Sequence, residues 1–152
     1  MNVQQKNKEK GFTIIEVVLV LAIAGLIFLM VFIALPALQR NQRDGQRKND
    51  MGRVQTAIQN YQSNNRNKLP TFNNTFVDSY LRVGGDSFED PNGTAYSFAT
   101  GGGVPDEFKG DGKVYPTVGA VCNGESLETG KGSSKVAIQY KLEGGGIYCV
   151  NN

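Results

Sequence analysis

The chain has no histidine and no tryptophan, and only two cysteines in 152 residues. Without histidine there is no imidazole to act as a base near neutral pH or to ligate a metal. Cys122 and Cys149 alone make a poor zinc site, which normally takes four ligands. Gly101-Gly102-Gly103 is not followed by the Gly-Lys-Ser/Thr of a phosphate loop. No enzymatic activity, metal or cofactor is expected. The last lack is local: no Lys, Arg or His lies between Gly11 and Gln39.

What fills that stretch is apolar. From Phe12 to Leu35 there are 24 residues with one charge, Glu16. As a helix they extend about 36 Å at roughly 1.5 Å per residue, enough to cross a bilayer core of about 30 Å with some tilt. An acid deep in a membrane helix costs on the order of 2.5 to 3.5 kcal/mol on insertion scales. Glu16 therefore either sits at the headgroups or has a cationic partner. This helix supplies none, whereas the amino terminus of a neighbouring copy would. An ordinary secretory signal competes, with Ala22-Ile23-Ala24 as its cleavage site, but the apolar run continues about ten residues past it.

Charge divides the chain. Residues 1–11 carry Lys6, Lys8, Lys10 and Glu9, net +2; residues 12–70 carry seven bases and three acids, net +4; residues 71–152 carry six bases and ten acids, net −4. Arg40, Arg43, Arg47, Lys48 and Arg53 follow the apolar run, and the positive-inside rule alone would hold that flank in the cytoplasm. Arg40, Arg43, Arg47 and Lys48 cluster on one side of a helix. They are candidates to meet anionic headgroups, DNA or acids of a neighbouring copy. No aromatic interleaves with them, so a stacking platform for single strands is missing. A basic stalk and an acidic head attract one another between copies unless salt screens both, over about 8 Å.

Lys10-Gly11-Phe12-Thr13-Ile14-Ile15-Glu16 resembles the class III signal peptide of type IV pilins and type II secretion pseudopilins. The resemblance is close from Lys10 to about Leu38, looser to about Leu69, and beyond that one of general layout. It implies cleavage between Gly11 and Phe12 by a membrane prepilin peptidase, and N-methylation of Phe12. It implies that Glu16 attracts the cationic amino terminus of an adjacent subunit, a pairing that makes a buried carboxylate tolerable. It places the leader inside and the head outside the cytoplasm, against the charge rule. Some pilins carry a helix-bending proline slightly earlier than Pro36.

Pro36 removes a helix hydrogen bond and is expected to bend or end the helix nearby; Gly25 is a second weak point. Residues 39–50 are polar on every face, a weak helix unless neighbours support it. Met51, Val54, Ile58 and Tyr61, with Ala57 beside them, form one apolar helical face for a core. Asn64, Asn65, Asn67 and Pro70 end the helix. Phe72, Phe76, Val77, Tyr80 and Leu81 suit a short helix or a loop.

Asp90-Pro91-Asn92-Gly93 signals a turn, and with Tyr96 resembles a segment of pseudopilins and some pilins. Asp86, Glu89 and Asp90 offer oxygens to calcium, but off the EF-hand spacing, so turn chemistry is favoured. Residues 94–99 read as a strand, 101–105 as a flexible loop, and 113–121 as a strand interrupted by Pro116. Residues 124–134 read as a polar loop. Val136, Ile138, Tyr140 and Leu142 alternate as the clearest strand, Glu143-Gly144-Gly145-Gly146 as a hairpin turn, and 147–150 as the last strand. Two formal sequons, Asn73-Asn74-Thr75 and Asn92-Gly93-Thr94, carry little weight. In an oxidising compartment Cys122 and Cys149 pair; in a reducing one they are free buried thiols. A disulfide closing the C-terminal part of the head also resembles the type IV pilin pattern.

The expected fold is α+β, a long N-terminal helix packed on a small C-terminal antiparallel sheet. The expected segments are a cleaved leader (1–11), a membrane and filament-core helix (12–36), its continuation on the head (37–69) and a β-rich head (70–152). The expected function is a prepilin polymerised into a type IV pilus for adhesion, twitching motility or DNA uptake. The alternative is a pseudopilin of a short secretion filament. The expected partners are other copies, the prepilin peptidase, the assembly machinery and the membrane, with weak DNA or surface binding besides. A membrane-anchored binding module that never polymerises is the remaining class.

Overall fold

The computed structural model describes residues 11–99 and 103–152. The leader up to Lys10, and Gly101-Gly102 of the expected glycine loop, lie outside the described residues. The chain forms two compact units, one ending at Leu38 and one spanning Gln39–Asn152.

In the first unit, helix α1 (Ile14–Asn64) begins. The apolar side chains of this unit are exposed: Phe12, just before the helix, and Ile33 and Phe32 within it are 89%, 72% and 75% accessible. An apolar surface this continuous marks a membrane or protein contact. The helix is long and apolar enough to cross a membrane. It runs through Pro36 without a break, so the expected end near the proline is not observed. Proline inside a helix costs on the order of 3 kcal/mol. Most helical stability comes from packing rather than propensity, and from Asp44 onward α1 has buried residues in every turn or two.

In the second unit, α1 lays Met51, Val54, Ala57 and Ile58 into the core, each 3% exposed or less. The 3.6-residue period brings these positions to one face. Burying each large side chain contributes roughly 1.5–3 kcal/mol. Helix α1 ends in a left-handed turn, Arg66 and Asn67 having φ of 53° and 61°, where the Asn67 N–H donates to the Gln62 carbonyl at 2.8 Å. A short helix α2 (Asn74–Tyr80) follows, capped by the Asn73 side chain, which accepts from the Phe76 N–H at 3.0 Å. It brings Phe76 and Tyr80 against Tyr61 of α1.

The main sheet has four strands in the order β1–β2–β5–β6: β1 (Ser97–Phe98), β2 (Lys113–Val118), β5 (Val136–Lys141) and β6 (Ile147–Asn151). The pairs β2–β5 and β5–β6 are antiparallel, but β1 runs parallel to β2, so the sheet is mixed. Pro116 sits within β2 opposite Ile138. The Val114 carbonyl faces β1, accepting from the Ala99 N–H. Two residues on, the missing N–H of Pro116 faces the same way, past the end of β1, where no ladder bond is lost.

The expected strand over 113–121 is instead two. Gly119, at φ 75°, turns the chain out of β2 into β3 (Ala120–Asn123). The expected loop over 124–134 also contains a strand, β4 (Ser126–Thr129), paired with β3 as a separate hairpin. That hairpin explains why β5 is buried at five consecutive positions. Val136, Ile138 and Tyr140 face the core with α1. On the opposite face Gln139 donates through Nε2 to the Glu125 carbonyl at 2.8 Å.

Candidate functional site

Gly11 precedes the helix and Phe12 is almost fully exposed. Thr13 caps the helix that starts at Ile14. Its N–H and its hydroxyl both donate to Glu16 Oε2 at 2.8 Å, and the Glu16 N–H donates to Thr13 Oγ1 at 3.4 Å. This is a reciprocal capping box. The carboxylate also lies at the positive end of the helix dipole. Thr13-x-x-Glu16 is legible in the sequence as that box, a signal the sequence reading left unused. Glu16 thus has partners within its own first turn.

The polar stretch of α1 carries the second constellation. Arg47 is fully buried. Its Nε and Nη2 donate to the two Asp90 oxygens at 2.7 and 2.9 Å, and its Nη1 donates to Asp44 at 2.8 Å and Glu143 at 3.1 Å. Arg43 grips Glu143 with two nitrogens. Asp44 accepts the N–H groups of Glu143 and Gly144 at 3.0 and 2.7 Å. A Cβ on Gly144 would stand 3.0 Å from Asp44 Oδ2, so a side chain there would crowd the contact. The Tyr140 hydroxyl donates to Asp90 at 2.7 Å, and the Phe108 ring lies 4.5 Å from the guanidinium.

Burial opposes the charge on Arg47, but its bonds to Asp90, Asp44 and Glu143 outweigh that and hold its pKa above the ordinary value. Burial alone would raise Asp90; the bonds from Arg47, Tyr140 and the Asn92 N–H pull it below the ordinary carboxylate range. The Arg43 guanidinium, then Arg47, hold Glu143 down at about 2.

Residues 6–32 match the prokaryotic N-terminal methylation motif. The match contains Gly11, Phe12 and Glu16, and continues along the exposed apolar helix. The chain carries the class III signal peptide of type IV pilins and pseudopilins. Neither a curated protein nor a solved structure matches it. The resemblance read from Lys10 to Glu16 is that motif, and it goes with a membrane-anchored subunit.

The remaining sequence candidates lie in the second unit. Cys122 in β3 and Cys149 in β6 are joined by a disulfide with their Cα atoms 5.8 Å apart, tying the hairpin to the main sheet. Arg43 and Arg47 pair with acids of their own head, which corrects the expectation that they meet lipid, DNA or a neighbour. Arg53 pairs with Asp86. Among the described residues, no three or more His, Cys, Asp or Glu stand together to hold a metal ion. Asp86 and Asp90 serve arginines instead, and Asp90 also accepts from the Asn92 N–H within its turn. The sequons have structural work too: Asn73 caps α2, and Asn92 donates to the Gly110 carbonyl at 2.9 Å.

Proposed function

We propose that this protein is a prepilin. It is cut between Gly11 and Phe12, methylated on Phe12 and polymerised into a type IV pilus. The observation that carries the reading is the methylation motif over residues 6–32, running into a helix whose apolar stretch is entirely unburied. Other copies cover that surface in the filament. Lipid is as apolar as a neighbouring helix, so the drive is packing and polar pairing rather than escape from water.

Glu16 supplies the pairing. On cleavage, Phe12 becomes a chain terminus, and its secondary ammonium is the cation missing from the helix. The ammonium of an incoming copy competes with the Thr13 N–H and hydroxyl for the Glu16 carboxylate. A contact in which one end of a subunit meets a different part of the next does not close, and grows as a helix. The head stays outside the cytoplasm, where Cys122 and Cys149 pair. The head carries adhesion, motility or DNA uptake; the protein is a structural subunit and not an enzyme.

The second reading is a pseudopilin of a secretion filament, favoured by the Asp90-Pro91-Asn92-Gly93 turn and Tyr96. Disulfide-bonded Cys122 and Cys149 favour the pilus. The test is Glu16→Ala in the native host. The expected result is normal cleavage with loss of filaments. Filaments from Glu16→Ala at wild-type yield would overturn the mechanism. Loss of surface filaments with secretion intact on deletion of the protein supports the pilus, and loss of secretion in cells that bear no surface filaments supports the pseudopilin.

A further inference from the structure

Two open concavities of the head share one residue, Tyr80. The first, of about 520 Å³ beside α1, has Asn49, Thr56, Asn60 and Tyr148 in its lining. The second, of about 250 Å³, has Tyr61, Thr71, Thr75 and Ser79. They form one track, with Tyr148 in the first part only, Tyr61 in the second only and Tyr80 between. The rings are held by aromatic neighbours. Tyr80 stacks on Phe76 with centroids 5.5 Å apart, and Tyr61 meets Tyr80 edge-on at 5.5 Å. Asn49, Arg53, Thr56 and Asn60 recur at helical spacing, so one face of α1 contributes them all.

The polar groups of this track are unused by the fold. Among the described residues every buried side-chain nitrogen and oxygen has a hydrogen-bond partner. By contrast, the amides of Asn49 and Asn60 and the hydroxyls of Tyr61, Tyr80 and Tyr148 bond to nothing in the head. The lining also excludes several ligand classes. Too little of it is aliphatic for a lipid chain. No carboxylate lines either concavity, so a calcium ion lacks its charged oxygen ligands. Proteins that hold a nucleic-acid backbone neutralise about six to ten phosphates, whereas Arg53 is spent on Asp86 and the Leu81 carbonyl. What remains is tyrosine rings beside free amides and hydroxyls. A tyrosine offers an apolar face and a polar tip, and an amide both donates and accepts. A sugar ring has the matching pair of surfaces, an apolar C–H face and an edge of hydroxyls.

We propose that this track binds an oligosaccharide, with sugar rings laid on Tyr148, Tyr80 and Tyr61 and their hydroxyls bonded to Asn49 and Asn60. The Lys48 ammonium, 5.9 Å from the Tyr148 ring, selects a sugar acid at that end. The inference deepens the adhesive part of the proposed function and rests on it only for the use of the site on the cell. The binding itself is a property of the head.

The chain has no tryptophan, so tyrosine emission reports on the site directly. The test is a titration of the full chain, in a zwitterionic detergent without a sugar headgroup, with hyaluronan tetrasaccharide. Saturable binding with a Kd of about 1 mM or tighter is expected. Chitin tetrasaccharide, which is neutral, is expected to bind about threefold more weakly, as befits one exposed charge, and Lys48→Gln to remove that difference. Tyr148→Ala should weaken both sugars about tenfold. Gly52→Gln keeps the fold intact while blocking the groove. A Cβ at 52 meets nothing within 4 Å, and glutamine is the better helix former. Its unfolding midpoint should equal or exceed that of the wild type, while its affinity falls at least about tenfold.

No saturable binding of the acidic sugar below about 10 mM, or wild-type affinity in Gly52→Gln or Tyr148→Ala, would overturn the inference. A tetraglutamate peptide that binds as tightly as the sugar would reveal a bare charge site and overturn it too. Filaments sheared from the native host should bind the tetrasaccharide as the chain does. Filaments that bind none, beside a chain that does, would mean that neighbouring copies cover the track, and would overturn its adhesive use. A host that makes no filament and leaves the leader uncut overturns the filament reading, while the titration of the chain still decides the site.

Discussion

The guanidinium of Arg47 and the carboxylate of Asp90 meet through two parallel hydrogen bonds of 2.7 and 2.9 Å, with both side chains fully buried. They lie 43 residues apart in the chain, one in the polar middle of α1 and one in the turn that follows α2. Their pairing shows how a helix segment with no apolar face becomes part of a core. The head supplies Asp90 and Glu143 to the helix, and the helix supplies Asp44 to the hairpin turn before β6.

Removing either partner leaves a buried charge without its counterion. Arg47→Met or Asp90→Ala should therefore destabilise the head by about 3–5 kcal/mol. Arg47→Lys should recover little of this, because an ammonium cannot reproduce the two-pronged contact. Denaturant unfolding of the full chain in detergent checks the prediction. A loss below about 1 kcal/mol, typical of exposed pairs, would mean that the network does not hold helix and head together.

Burial of Tyr96 and Tyr140 keeps their hydroxyls protonated in the fold. Below the range in which tyrosines ionise, stability should depend on pH only on the acid side. Glu143, held at about 2 chiefly by Arg43, and Asp90, lowered by Arg47 against its burial, have ordinary values of 4.5 and 3.8. Their contribution is complete above about pH 4.5 and is lost as pH falls towards 2. Asp50 works with the opposite sign. Burial raises it despite the Tyr96 and Arg53 contacts, so it favours the fold at low pH and costs stability as pH rises through its folded value. It softens the slope without reversing it: Asp86, lowered by the Phe88 N–H, and Glu128, lowered by Lys131, act with Asp90 and Glu143, so four lowered carboxylates of the head oppose one raised. The unfolding midpoint should be level from about pH 6 to 8, where histidine would titrate if any were present, and should fall below about pH 4.5. A midpoint that climbs on acidification contradicts this assignment.

The disulfide closes a separation of 27 residues, which contributes roughly 3–4 kcal/mol in the chain-entropy picture. Its local effect should be larger than its global one. The hairpin of β3 and β4 is otherwise held on the main sheet by small buried side chains, Ala120 and Ala137, and by polar contacts such as Gln139 to the Glu125 carbonyl and the Cys122 N–H to Asn151. Cys122→Ser with Cys149→Ser should speed amide exchange in the hairpin before it does so in β5. Equal exchange in both proteins would show that the hairpin is held without the link.

The features legible in the sequence are those carried by local periodicity. Met51, Val54, Ala57 and Ile58 repeat at helical spacing, and all are buried. Val136 to Leu142 alternate as a strand, and all but Leu142 lie in β5. The methylation motif is a contiguous string and could be read directly. The features that escaped depend on distant partners. Arg47 looks like any solvated arginine until Asp90 and Glu143 are brought to it. Strand β4 hides in a Gly/Ser-rich stretch because its order comes from pairing with β3. The parallel pairing of β1 follows from the path of the chain rather than from either strand's residues. At the amino terminus, Thr13 and Glu16 lie within the methylation motif, and the capping box they form is legible in the same four residues.

The central claim is that the chain is cut after Gly11 and methylated on Phe12. Mass spectrometry of the amino-terminal peptide, from protein made in its own host, tests it most directly. The account predicts a peptide that begins at Phe12 and carries one added methyl group. A peptide beginning at Met1, Asn2 or Gly25 would contradict it, leaving an uncut membrane anchor in the first two cases and an ordinary secreted protein in the third.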